Sequence, residues 1–159
     1  MDPRCCAWTP CFLLAGVLVC TLWTASACGD DGDDAPPCDP SRALSVTVTY
    51  GTDSQPVDLA SLSGTEDGDL CLVPLMDVVG AAGLGFDPDA SYYDFVGGDG
   101  FRPTQVECVT VDASTLEQGW VDRVTGTVVW DDALGMRGCY SVTGAVEIVA
   151  YDAPWPETE

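Results

Sequence analysis

The sequence predicts an α+β fold: a small, strand-dominated single domain with one or two short helices, stapled by disulfides. Three observations predict it. "LSVTVTY" alternates apolar and polar residues with the period of a half-buried strand, and several later runs also read as strands. "VPLMDVVGAAG" carries one apolar stripe at helical spacing. Four cysteines, Cys38, Cys71, Cys108 and Cys139, are spread across the same region.

The elements follow in chain order. In "LSVTVTY", Leu44, Val46, Val48 and Tyr50 share one face, and Ser45, Thr47 and Thr49 the other. "VDLASL" reads as a second strand or a short helical turn, and "SGTEDGD" as a loop. Leu75, Val78, Val79 and Ala82 then fall at i, i+3, i+4 and i+7. Pro74 sits at the helix start, where its missing N–H costs little, and Gly83 suits the C-terminal cap. "SYYDFVGGDGFRP" predicts a hairpin: an aromatic strand enters Gly97-Gly98-Asp99-Gly100, and a second strand leaves at Phe101. "QVECVTV" fits a strand. "DASTLEQGW" fits a short helix or loop capped by Asp112 or Ser114. "TGTVVWDDAL" contains a strand. "CYSV" and "VEIVAYD" read as a closing antiparallel pair around Thr143-Gly144.

Ahead of this domain, residues 1–27 read as an export signal. Arg4 gives a weakly positive start, and "CFLLAGVLVCTLW" is an uncharged apolar run. As a helix it would be about 20 Å long, short of the ~30 Å hydrocarbon core of a bilayer. A signal core suits it better than a membrane span. Residues 28–42, "CGDDGDDAPPCDPSR", hold almost no apolar side chain and read as an acidic, disordered tether. Residues 43–153 form the domain, and 154–159 a tail.

The formal net charge is −21, with no lysine and no histidine. Such a field repels phosphate backbones and argues against nucleic acid as a partner. Missing histidine removes the commonest general base and metal ligand, and with it serine–histidine and cysteine–histidine hydrolases. The composition points to no catalytic residue, no metal ligand and no cofactor. Asp87, Asp89, Ser91 and Asp94 are spaced loosely like a calcium loop. Tyr92 and Gly98 stand where that loop needs glycine and a bidentate glutamate. Asp131 and Asp132 are adjacent and on a strand would point to opposite faces. A candidate binding surface is the expected hairpin tip: Asp99, Phe101 and Arg102, with Tyr92, Tyr93 and Phe95 nearby.

Ala25-Ser26-Ala27 directly before Cys28 resembles the lipobox of bacterial lipoproteins, although Ala25 stands where leucine or valine is usual. The resemblance implies that Cys28 receives lipid and becomes the mature N-terminus. Gly29, in place of an aspartate, implies the outer membrane. Of nine cysteines, four lie within the signal. Lipid on Cys28 leaves an even four in an oxidising compartment, so two disulfides are expected, in any of three pairings.

Pro74, Leu75, Ala82, Gly83, Asp99, Gly100, Phe101, Val142 and Ile148 carry a second resemblance, to the molybdopterin-binding oxidoreductase domain of the sulfite-oxidase type. It covers about half of the domain and rests on structural positions: a helix start, a helix cap, a turn and a core strand. In that family a cysteine thiolate binds molybdenum well before the Pro-Leu helix. Cys71 is only three residues ahead of Pro74, and three domain arginines are the only basic groups for a cofactor phosphate. The resemblance implies a relative that kept the fold and lost the cofactor. The functional expectation is a membrane-anchored envelope lipoprotein. Its non-catalytic binding or scaffolding domain would serve an envelope protein or a small ligand. The alternative is a molybdopterin-dependent oxidoreductase-type redox protein with Cys71 as ligand.

Overall fold

The first hairpin follows from the alternation that opens the domain. β1 (Ser45–Tyr50) pairs antiparallel with β2 (Asp53–Asp58), with Tyr50 opposite Asp53. The two-residue turn between them begins at Gly51, whose φ of +60° suits glycine. Val46 and Val48 are fully buried, while Leu44, just before the strand, turns outward and is 40% exposed. The structure, a computed structural model, describes residues 36–106, 108–136 and 138–155. The expected signal, Cys28 with its acidic run, Arg137 and the last four residues lie outside the described residues.

"VDLASL" divides between the end of β2 and a 3-10 turn at Leu59–Ser61, capped by Asp58. "SGTEDGD" is not a plain loop. β3 (Thr65–Asp67) and β4 (Leu70–Pro74) form a second hairpin. α1 (Leu75–Ala81) begins directly after β4 and buries Leu75, Val78 and Val79, the expected stripe. Burying each such side chain contributes about 1.5–3 kcal/mol.

β5 (Tyr92–Gly97) does not return at Phe101. Gly97 N–H donates to the Phe101 carbonyl at 2.9 Å, closing the turn. Pro103 follows in a 3-10 turn, Pro103–Val106. Proline has no N–H to give a ladder, so the strand cannot form there. The returning strand is β6 (Val111–Asp112), where Val111 opposes Tyr93. α2 (Ala113–Leu116) is capped by Asp112, which accepts from Thr115 N at 2.8 Å. β7 (Gly119–Asp122) and β8 (Val128–Trp130) follow.

The closing segments differ from the expected pair. Cys139 and Tyr140 lie in a 3-10 turn, where a disulfide holds Cys139 to Cys108. β9 (Ala145–Tyr151) instead runs parallel to β1 and antiparallel to β5. Ile148 and Ala150 face the core, and Val149 on the opposite face is buried too, at 9% exposed. A strand so buried on both faces belongs in the middle of a sheet.

Two sheets result, ordered β2-β1-β9-β5-β6 and β3-β4-β7-β8. Tyr93, Phe95 and Ile148 of the first meet Val73 and Val121 of the second, together with α1, in one core. The fold is therefore α+β and strand-dominated, in one domain with two short helices among the described residues. Cys38 pairs with Cys71, and Cys108 with Cys139. Residues 36–42, read from sequence as the end of a tether, hold a 3-10 turn (Pro40–Arg42) and are bonded to β4 through Cys38.

Candidate functional site

The residues expected at the hairpin tip separate in the structure. Asp99 is exposed, and its Oδ1 accepts the Phe101 N–H at 2.9 Å, so it shapes the turn. Phe101 is half-buried against the core. Arg102 lies over the outer face of the first sheet, with Nη2 3.8 Å from Glu147 Oε2. Pro103 is buried behind it. Thr104 Oγ1 donates to Asp94 Oδ2 at 2.7 Å, and Thr49 Oγ1 donates to Glu147 Oε1 at 2.6 Å. Asp94 is 1% exposed, and its Oδ1 finds no hydrogen-bond partner among the described residues. Burial raises the Tyr151 phenol, and the Asp94 charge raises it further, against the Arg102 guanidinium beside it. The turn thus folds back as a cover on the sheet, with Phe101 and Arg102 on different surfaces.

The cysteines serve covalent structure. Cys71 is fully buried and bonded to Cys38, so it offers no thiolate. Arg123 is 5% exposed; its Nη1 donates to the Cys38 carbonyl at 3.2 Å and its Nη2 to the Leu62 carbonyl. It clamps the chain around the disulfide rather than facing a cleft. These residues do not fit a molybdopterin. The aspartates with calcium-like spacing also part company. Asp87 caps a 3-10 turn by accepting from Asp89 N at 3.1 Å, and Asp94 lies on β5. Among the described residues, no three of His, Cys, Asp and Glu converge to hold a metal.

The second sheet presents a feature that the sequence reading did not single out. Along β7, Gly119 and Val121 face the core, so Trp120 between them points to the other side. There it stands opposite Pro74 on one neighbouring strand and Val129 on the other. Leu72, opposite Thr65 of β3, continues the same face. Trp120, Leu72 and Val129 floor a groove of about 570 Å³. Its rim carries Asp67 from β3, on the same face as Thr65 and Leu72, on one side and Asp131 and Asp132 beyond β8 on the other. A second depression of about 400 Å³ shares Val129, Trp130, Asp131 and Asp132 and extends to Met136 and Ser141. The two make a trough that passes over the edge strand β8. Asp131 Oδ1 also accepts from Ala133 N at 2.8 Å, which fixes that rim. The floor offers apolar and aromatic contact, and the rim offers negative charge.

Fold and groove together define an α+β domain with a tryptophan-floored, acid-rimmed trough on one sheet. No family model, curated protein or solved structure matches the chain. Among the described residues, no helix is long and apolar enough to cross a membrane.

Proposed function

We propose that the chain is an envelope lipoprotein whose domain binds rather than catalyses. In this reading residues 1–27 are removed on export, Cys28 carries lipid at the outer membrane, and the domain works from that anchor. Three things support it: the small-residue run before Cys28, the even set of cysteines that remains, and their pairing as two disulfides. Ten Cα–Cα steps, with nine residues between, lead from Cys28 to Cys38, the first residue bonded into the domain. Fully extended, they reach about 35 Å at most, so the anchor would hold the domain close to the membrane.

The observation that carries the binding role is Trp120, a half-buried aromatic side chain that lines a groove on one face of the second sheet. Large aromatics so placed are enriched where proteins meet ligands. A chain without histidine or lysine, with Cys71 in a disulfide, supports binding over chemistry. Two measurements test the proposal. The wild-type chain should sediment with membranes, and Cys28→Ala should release it; equal partition of both refutes the anchor. Stoichiometric molybdenum in the purified protein, by elemental analysis, refutes the non-catalytic reading.

A further inference from the structure

We infer that the trough on the second sheet is a docking site for an extended basic peptide segment, with an arginine or lysine side chain seated on Trp120. The inference rests on the binding role proposed above and names the class of partner.

The floor comes first. The face of an indole ring is electron-rich and attracts a cation laid over it, most strongly when water is excluded. Trp120 is half-buried, flanked by Pro74 and Val129 in register. Pro74 and Val129 are thus its cross-strand neighbours on that face. The aliphatic stem of a long basic side chain can lie on Leu72 and Val129 while its charged head reaches the rim.

The rim comes second. Asp67 stands on one side and Asp131 and Asp132 on the other. None of the three is in an ion pair with a described residue. A guanidinium or ammonium over Trp120 would lie between carboxylates from both sides. An anionic ligand would meet repulsion from the rim and from a chain of net charge −21.

The length of the trough selects a peptide over a small amine. The two depressions share four residues and together run from Thr65 on β3, over β8, to Met136 and Ser141. A single ammonium group fills one end. An extended chain, advancing about 3.3 Å per residue, covers both and can place a second cation beside Asp131 and Asp132.

The test uses the full chain in neutral detergent, titrated with an eight-residue alternating Arg-Gly peptide. Its neutral twin carries citrulline for arginine. Binding is followed by calorimetry and by the indole resonance of Trp120, assigned through Trp120→Leu. The arginine peptide should shift that resonance, and added salt should weaken binding. Trp120→Leu should weaken it about tenfold or more with unchanged thermal unfolding. The Asp131→Asn, Asp132→Asn double variant should weaken it and flatten its salt dependence. Citrulline binding equal to arginine would overturn the cationic class while leaving the trough a binding face. N-acetyl-arginine amide binding as tightly as the peptide would overturn the extended occupant. Arginine peptide binding unchanged in Trp120→Leu, or no shift at Trp120, would overturn the site itself. None of these outcomes bears on the lipid at Cys28.

Discussion

The backbone N–H of Cys71 donates to Asp122 Oδ1 at 2.9 Å and so ties the first disulfide to the end of β7. Asp122 is 2% exposed and is held at its other oxygen by Thr125, through N–H at 2.9 Å and Oγ1 at 2.6 Å. Burial alone would raise this carboxyl. The hydrogen bonds from Thr125 and Cys71 outweigh it and hold the group below the usual carboxylate value.

A pH dependence follows. A depressed native value means that the ionised form is favoured in the folded state. Its stabilisation is fully present above the unfolded value, about 3.9, and is lost as pH falls through the lower native one. Asp122→Asn should cost about 1–3 kcal/mol at neutral pH and flatten the acid limb of stability. Chemical denaturation of both proteins from neutral pH into acid checks this. An unchanged acid limb contradicts it.

The Cys38–Cys71 disulfide closes a loop with a sequence separation of 33. Cys38→Ala with Cys71→Ala should lower stability by about 3–4 kcal/mol on the chain-entropy account. Urea unfolding reads the loss. Arg123 adds a second clasp through the carbonyls of Cys38 and Leu62. Arg123→Met should therefore destabilise even with the disulfide intact, because two carbonyls lose their donors.

Gly119 is set by contact, not by φ. A Cβ there would lie 2.6 Å from the Trp130 ring and 2.7 Å from Leu75 Cδ1. Gly119→Ala should force both to shift and cost about 1–3 kcal/mol. The melting temperature measures it. A neutral result would mean that β7 does not pack against α1 and β8 as described.

Tyr93 sets the alkaline side. Burial pushes its phenol up to about 12, and its hydroxyl donates to the Pro88 carbonyl at 2.6 Å. Here the protonated form is favoured in the native state. The stabilisation is complete below the unfolded value near 10 and is lost as pH rises through about 12. Tyr93→Phe should lower neutral-pH stability slightly and reduce the steepness of that loss. Denaturation midpoints across this range give the comparison.

How much the sequence reveals depends on where each signal lies. Val46 and Val48 alternate with threonines within one strand, and Leu75, Val78 and Val79 lie within one helix, so local pattern suffices. β3 has no buried residue: Thr65, Glu66 and Asp67 are all exposed, so no hydrophobic period marks it. β6 is two residues long. β9 takes its parallel partner a hundred residues upstream, with Val48 opposite Ile148, and no local pattern names such a neighbour. The same reason hides the trough. Leu72, Trp120 and Val129 come from three strands and become one surface only through register. What the sequence does hold for it is the step from Gly119 through Trp120 to Val121, with the odd-numbered residues turned inward.

Lipid at Cys28 is read from the intact mass of the protein isolated from membranes. The mass should be that of a chain that begins at Cys28, carries a diacylglycerol thioether there, and holds two disulfides. A chain beginning at any other residue, or one beginning at Cys28 without lipid, contradicts the anchor.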